Sequence, residues 1–249
     1  MSARERATEK KPRGGLLART NLLTSVVLVF PVFLVYQLGV LVAPEVGNGA
    51  DLITSLLFRL RERSLPAYFA VHAVMVLGFF VLLVVLRGRQ EFRLRMFLPV
   101  TLESAIYAVA MGAVILQVMS LVGIDPSLRV AAAAKSDLPG GLFARVALAC
   151  GAGVHEELVF RLILLAALMG LLAHLAGMRR WIAIAVAFVI SSLLFSAAHH
   201  VIGGEPWRIG VFVYRFFCGI VFAVLYQWRG FAVAVYTHTL YDVYVMVLG

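Results

Sequence analysis

Apolar residues in this chain neither alternate nor keep to one helical stripe. They run almost unbroken for about 20 positions at a time, the length an α-helix needs to cross the hydrocarbon core of a bilayer. Seven such runs can be traced, at about 21–43, 66–86, 97–122, 143–172, 181–199, 209–228 and 230–248. Polar, glycine- or proline-containing stretches separate them: PEVGNGA at 44–50, RGRQEFRLR at 87–95, DPSLR and KSDLPGG ahead of the fourth run, GMRR at 177–180 and IGGEP at 202–206. The pattern predicts an all-α fold, a polytopic membrane helical bundle of about seven transmembrane helices, with residues 21–249 forming a single transmembrane domain. Pro31 is expected to kink the first helix, whereas Pro66 stands at the start of the second, where proline is tolerated.

Composition sharpens this picture. Of 249 residues, 62% are hydrophobic and 14% charged, with a mean hydropathy of +0.96. Soluble domains lie nearer half apolar and a quarter charged, and disordered, coiled-coil, collagen-like and small disulfide-stapled classes are excluded. The formal charge of +9 would suggest nucleic acid in a soluble protein. Here the cations sit in tails and loops beside apolar runs, which points to membrane lipid headgroups and topology and to no nucleic-acid partner. Cys150 and Cys218 both fall inside apolar runs and read as small buried hydrophobes, with no metal or redox motif around them.

Residues 1–20 form a basic segment, with Arg4, Arg6, Lys10, Lys11, Arg13 and Arg19 against Glu5 and Glu9; it is expected to be a disordered cytoplasmic tail. The apolar run behind it is too long for the core of a cleaved signal peptide, so the first helix is expected to be retained. With the N-terminus inside, thirteen cations fall in inner segments and six in outer loops, which favours N-in, C-out by the positive-inside rule. Arg59, Arg61 and Arg63 argue the other way. The expected location is a bacterial cell inner membrane. A reporter at 200–208 found in the cytoplasm would overturn this orientation.

The candidate chemistry lies in residues that hydrocarbon does not tolerate alone. An ionisable side chain at the centre of a transmembrane helix costs about 2.5–3.5 kcal/mol on insertion scales. The fourth run carries His155, Glu156, Glu157 and Arg161. Glu157 and Arg161 are spaced i,i+4 and can pair on one face, while Glu156 lies about 100° round the helix. One carboxylate is then neutralised by the arginine and the other faces a cavity. Such a pair suits one acid as anchor and the other as proton acceptor. His199 and His200 end the fifth run, and His238 and Asp242 share a face of the last. That pair can bond each other, fixing a tautomer, or present donors to an oxyanion. Taken singly, each set has a bland reading: a packing ion pair, interfacial histidines, a hydrogen-bonded core pair. His72, His174, Glu103 and Gln117 read as structural or interfacial, and the sequence leaves Arg215 between snorkelling and a cavity. The coincidence of three separate spans favours a common site.

The order Glu156-Glu157-x-x-x-Arg161, then Phe195-x-x-x-His199, then His238-x-x-x-Asp242 resembles the CPBP family of intramembrane proteases, the CAAX proteases and bacteriocin-processing enzymes also called the Abi family. The resemblance covers about residues 143–246, the expected protease-like core. It implies Glu156 as the general base activating water with His199 beside it, Glu157 and Arg161 as an orienting pair, and His238 with Asp242 at the oxyanion. Asp242 departs from the asparagine of type 2 CAAX prenyl endopeptidases. An ionised aspartate accepts but does not donate, so here it is expected to orient His238. HExxH is absent, because Val159 stands where its second histidine would be. A water-activating glutamate needing no cofactor is favoured, with a divalent metal such as zinc the alternative.

The function implied is a glutamic-type intramembrane endopeptidase. Its substrates would be exported or membrane-inserted proteins, in C-terminal sorting-signal or bacteriocin-like maturation similar to the myxosortase-like branch, or in CAAX-type processing. The alternatives are a non-catalytic immunity or scaffold protein with the same fold and a small transporter, for which the expected inverted repeats are lacking. Oligomeric state is not legible.

Overall fold

The computed structural model describes residues 18–42, 52–124, 141–201 and 206–248. Most of the basic tail and the loops at 44–50, 125–140 and 202–205 lie outside the described residues. Six helices are long and apolar enough to cross a membrane, and a seventh, shorter apolar helix closes the chain. No strand occurs among the described residues. This is an integral membrane protein, an all-α polytopic bundle.

The spans are α1 (Leu22–Val42), α3 (Leu65–Arg87), α4 (Phe97–Leu121, entered through a short 3-10 turn), α5 (Leu142–Leu175), α6 (Arg180–Val201), α7 (Ile209–Arg229) and α8 (Phe231–Val243, extended by a π-helical turn Tyr244–Leu248). Helix α1 runs continuously through Pro31. Pro66 sits in the first turn of α3, whose N-cap is Ser64 accepting from the amide of Ala67. One helix was not expected: α2 (Leu52–Arg63) precedes α3 and carries the Arg59–Arg63 cations. Its apolar stretch is too short for a span and was read as loop.

Burial explains which helices can carry polar groups. Along α3 the buried residues are Tyr68 and Leu86, and its apolar surface otherwise faces outward, as a lipid-facing span should. Helix α8 is the opposite. It packs on α1, α4, α5 and α7, and every residue from Phe231 to Thr239 is buried. A helix buried on all sides is surrounded by protein rather than lipid. This is why α8 can be short, and why Thr237, His238, Thr239 and Asp242 are tolerated on it. It follows α7 after a single residue, Gly230, at φ 99°, a left-handed conformation that favours glycine. Thr20 fills the space beside it, its amide donating to the carbonyl of Arg229 at 2.9 Å.

Close helix contacts require small residues, as is common in membrane bundles. At Gly153, one turn before Glu156, an added Cβ would lie 2.1 Å from Thr239 Oγ1 and 3.1 Å from its Cα. Helices α5 and α8 therefore touch backbone to backbone beside the polar residues. Gly153→Ala is expected to force them apart and lower stability by about 1–3 kcal/mol, read as the denaturation midpoint in detergent. Gly78→Ala, where a Cβ meets nothing within 4 Å, should leave the midpoint unchanged or raise it.

Candidate active site

The regular α-helical part of α5 ends at Glu157, and a π-helical segment, Leu158–Leu165, follows at once. Such widened turns recur at functional sites. This one lies between Glu157 and the helix that continues beyond Arg161. Both side chains are fully buried, and Arg161 Nε lies 3.3 Å from Glu157 Oε2. The expected i,i+4 pair is present. Arg161 Nη2 donates to the carbonyl of Gly219 on α7 at 3.3 Å. The guanidinium carbon stands 4.4 Å over the Phe195 ring and 5.3 Å from that of Phe222. The cation is thus held by a carboxylate, a carbonyl and two aromatic faces, a combination suited to a charge deep in protein.

Glu157 also holds His238, whose Nδ1 donates to Glu157 Oε1 at 2.8 Å. This corrects the expectation for Asp242. The carboxylate that orients the His238 ring is Glu157, while Asp242 Oδ2 stands 3.7 Å from Nε2, beyond hydrogen-bond reach but within ion-pair range. A ring stacked at 4.4 Å on Phe222 and bonded at Nδ1 directs Nε2 toward the other acids.

Glu156 occupies the centre. Its Oε2 is 3.6 Å from His238 Nε2 and 3.7 Å from His199 Nε2. His199 is oriented by its own helix, with Nδ1 donating to the carbonyl of Phe195 at 2.9 Å. Three distant segments, on α5, α6 and α8, therefore bring one acid and two imidazoles together. His155, next in sequence, turns the other way and meets the edges of Tyr36 and Phe33 on α1. His200 packs instead against Trp207 and Phe212.

A cavity of about 310 Å³ adjoins this cluster between α4, α7 and α8. Of the six candidate residues, His238 and Asp242 line it; Glu156 does not. Glu156, expected to face a cavity, stands instead 3.6 Å from His238 Nε2 and is not among the lining residues. The remaining wall includes Phe195, Tyr214, Arg215, Cys218, Phe222 and Tyr241, with the Tyr214 and Tyr241 hydroxyls hydrogen-bonded to each other. Of these, Tyr214, Phe222 and Tyr241 have no role in the sequence reading, which takes Phe195 as part of a motif and Cys218 as a buried hydrophobe and leaves Arg215 between snorkelling and a cavity. The available signal was Tyr214, Cys218 and Phe222 at intervals of four, with Arg215 beside them in an apolar run. Glu103 was likewise read without a partner. Arg229 and Tyr107 both bond to it, making a second ion pair at the opposite end of α7, away from the cavity.

Among the described residues, no group of three or more His, Cys, Asp or Glu side chains is arranged to hold a metal ion.

Fold and site together define an integral membrane protein with a buried carboxylate–imidazole centre on its inner helices. Residues 139–244 match the family described as Rce1-like, type II CAAX prenyl endopeptidase Rce1-like. The matched segment runs from the start of α5 into the last turn of α8, the match is to the CPBP/CAAX protease family, and the segment carries all six residues. The match supports a peptidase and leaves α1–α4 outside it. No curated protein and no solved structure matches the chain.

Proposed function

We propose that the protein is an intramembrane endopeptidase of the CAAX-protease type in which Glu156 activates water. The supporting observation is the placement of Glu156 Oε2 between two imidazole Nε2 atoms, at 3.6 and 3.7 Å. These separations are too long for direct hydrogen bonds and suit one water bonded to all three groups. Glu156 takes a proton from this water as its oxygen attacks the scissile carbonyl. His199 holds the water, and His238, bonded to Glu157 through Nδ1 and carrying its second proton on Nε2 as the imidazolium, donates from Nε2 to the developing oxyanion. Collapse of the tetrahedral intermediate breaks the C–N bond, and the proton held by Glu156 passes to the leaving amine. Glu157 and Arg161 are positioning residues here. No metal is assigned a step.

The substrate proposed is a membrane-inserted or exported peptide whose scissile bond reaches His238 through the cavity. The cavity wall includes outward-facing Val109 and Tyr244, a route from lipid rather than bulk water. With the N-terminus inside, the cluster lies nearer the exoplasmic face, which favours maturation of exported peptides over processing of cytosolic ones.

The test is purified protein in detergent with apolar C-terminal peptides, assayed with and without chelator. Cleavage is expected, with a rate unchanged by chelation. Loss of activity on chelation, restored by zinc, would transfer the water-activating role to a metal.

A further inference from the structure

Helix α5 widens just past its two acids. The π-helical segment Leu158–Leu165 begins directly after Glu157 and runs for eight residues, whereas π turns are mostly single turns inside an α-helix. A segment this long needs holding from outside. One hold comes from α6, where Ser191 Oγ donates to the carbonyl of Phe160 at 2.9 Å and the serine is fully buried. A serine inside a helix can bond the carbonyl four residues back on its own helix; Ser191 reaches across to another. The Phe160 carbonyl has two lone pairs, so this bond can add to one made within α5. The Phe160 ring is held as well, meeting the Phe195 ring edge-on with centroids 5.3 Å apart.

Ser191, Phe195 and His199 follow at intervals of four on α6, which keeps them within about 80° of one face. Each meets α5 at or beside the widened segment. Ser191 bonds the Phe160 carbonyl, Phe195 lies under the Arg161 guanidinium at 4.4 Å, and His199 Nε2 stands 3.7 Å from Glu156 Oε2. Ser191 and His199 are about 12 Å apart along the helix axis, so a small rotation of α6 at the serine is carried to the imidazole. In the proposed reaction the gap between His199 and Glu156 holds the attacking water. A misplacement of about 1 Å there can cost about 100-fold in rate.

We infer that Ser191 is a positioning residue, which by pinning α6 to the Phe160 carbonyl fixes the separation of His199 from Glu156. Ser191 itself takes no proton and binds no substrate. This rests on the peptidase reading of the site. A control lies on the same helix. Ser196 Oγ donates to the carbonyl of Phe212 at 2.7 Å, a bond of the same kind that ties α6 to α7 instead of to the widened segment.

The experiment compares Ser191→Ala, Ser191→Thr and Ser196→Ala in the full-length protein in detergent. It reads the denaturation midpoint, peptide hydrolysis, and NMR spectra of isotope-labelled histidine, in which the His199 ring is identified by its loss in His199→Ala. Each alanine variant loses one buried hydrogen bond, so the two midpoints should fall by similar amounts. Only Ser191→Ala should slow hydrolysis, by about 10- to 100-fold in kcat with KM within about twofold of wild type. Ser191→Thr keeps the hydroxyl and should regain most of that rate. In the spectra, Glu156→Gln is expected to displace the His199 signal in the wild-type background, and to displace it less than half as far in the Ser191→Ala background. An equal kcat loss in both alanine variants, a loss in KM alone, or a displacement that is absent or undiminished overturns the assignment. A diminished displacement with no hydrolysis by the wild type would keep the positioning role and sink the peptidase reading. The two failures are therefore distinguishable.

Discussion

Glu156→Gln is expected to reduce kcat by about 10³-fold, within the range a positioned general base contributes, while leaving the fold intact. The substitution keeps the shape of the side chain and its capacity to accept a hydrogen bond but removes the basic oxygen. Glu156 belongs to neither of the two tight contacts of the cluster, Glu157 with Arg161 and Glu157 with His238, so the stability change should stay under about 1 kcal/mol. Parallel measurement of peptide hydrolysis and of the denaturation midpoint in detergent separates the two effects. His199→Ala should follow in the same direction with a smaller loss, since it holds the water without taking its proton. If both variants keep full biological activity at normal expression, the protein acts by binding, as an immunity or scaffold protein would.

The second large effect is structural. Arg161→Met leaves the fully buried Glu157 without its cation and should cost about 3–5 kcal/mol, the loss typical of breaking a buried pair from one side. Glu157→Met combined with Arg161→Met removes both charges, and the double variant should regain about 2 kcal/mol or more over Arg161→Met alone. Activity should not return with it, because His238 Nδ1 loses the carboxylate that holds its ring as the donating imidazolium. Unfolding by SDS in mixed micelles reads stability, and peptide hydrolysis reads function. Simple addition of the two single losses would mean that Glu157 and Arg161 are not energetically coupled, and would remove the pair from its positioning role.

How far the chain could be read in advance depended on the range of each interaction. The spans were legible because the hydrocarbon core imposes one requirement on every segment that crosses it, about 20 apolar residues. Glu157 with Arg161 was legible because i,i+4 neighbours meet on any helix. Helix α2 was not, since its apolar stretch is short and its arginines resemble a loop. The partner of His238 was also misplaced: sequence proximity favoured Asp242, four residues away on the same helix, but α5 brings Glu157 to Nδ1 at 2.8 Å. Glu103 looked solitary because its partner, Arg229, is 126 residues distant.

The amino-acid sequence by itself determined that this is a helical membrane protein, where its spans lie, and which six side chains could not be left in lipid. Those outcomes rest on local chemistry, the transfer of each segment and each charge out of water. Tertiary structure alone decided that α8 is the protein-surrounded helix, that Glu157 rather than Asp242 orients His238, that Glu156 faces two imidazoles, and that Arg215 lines a cavity rather than lipid. Each of these depends on how far apart and at what rotation separate helices pack, which close contacts such as Gly153 against Thr239 set and which no spacing within one helix encodes.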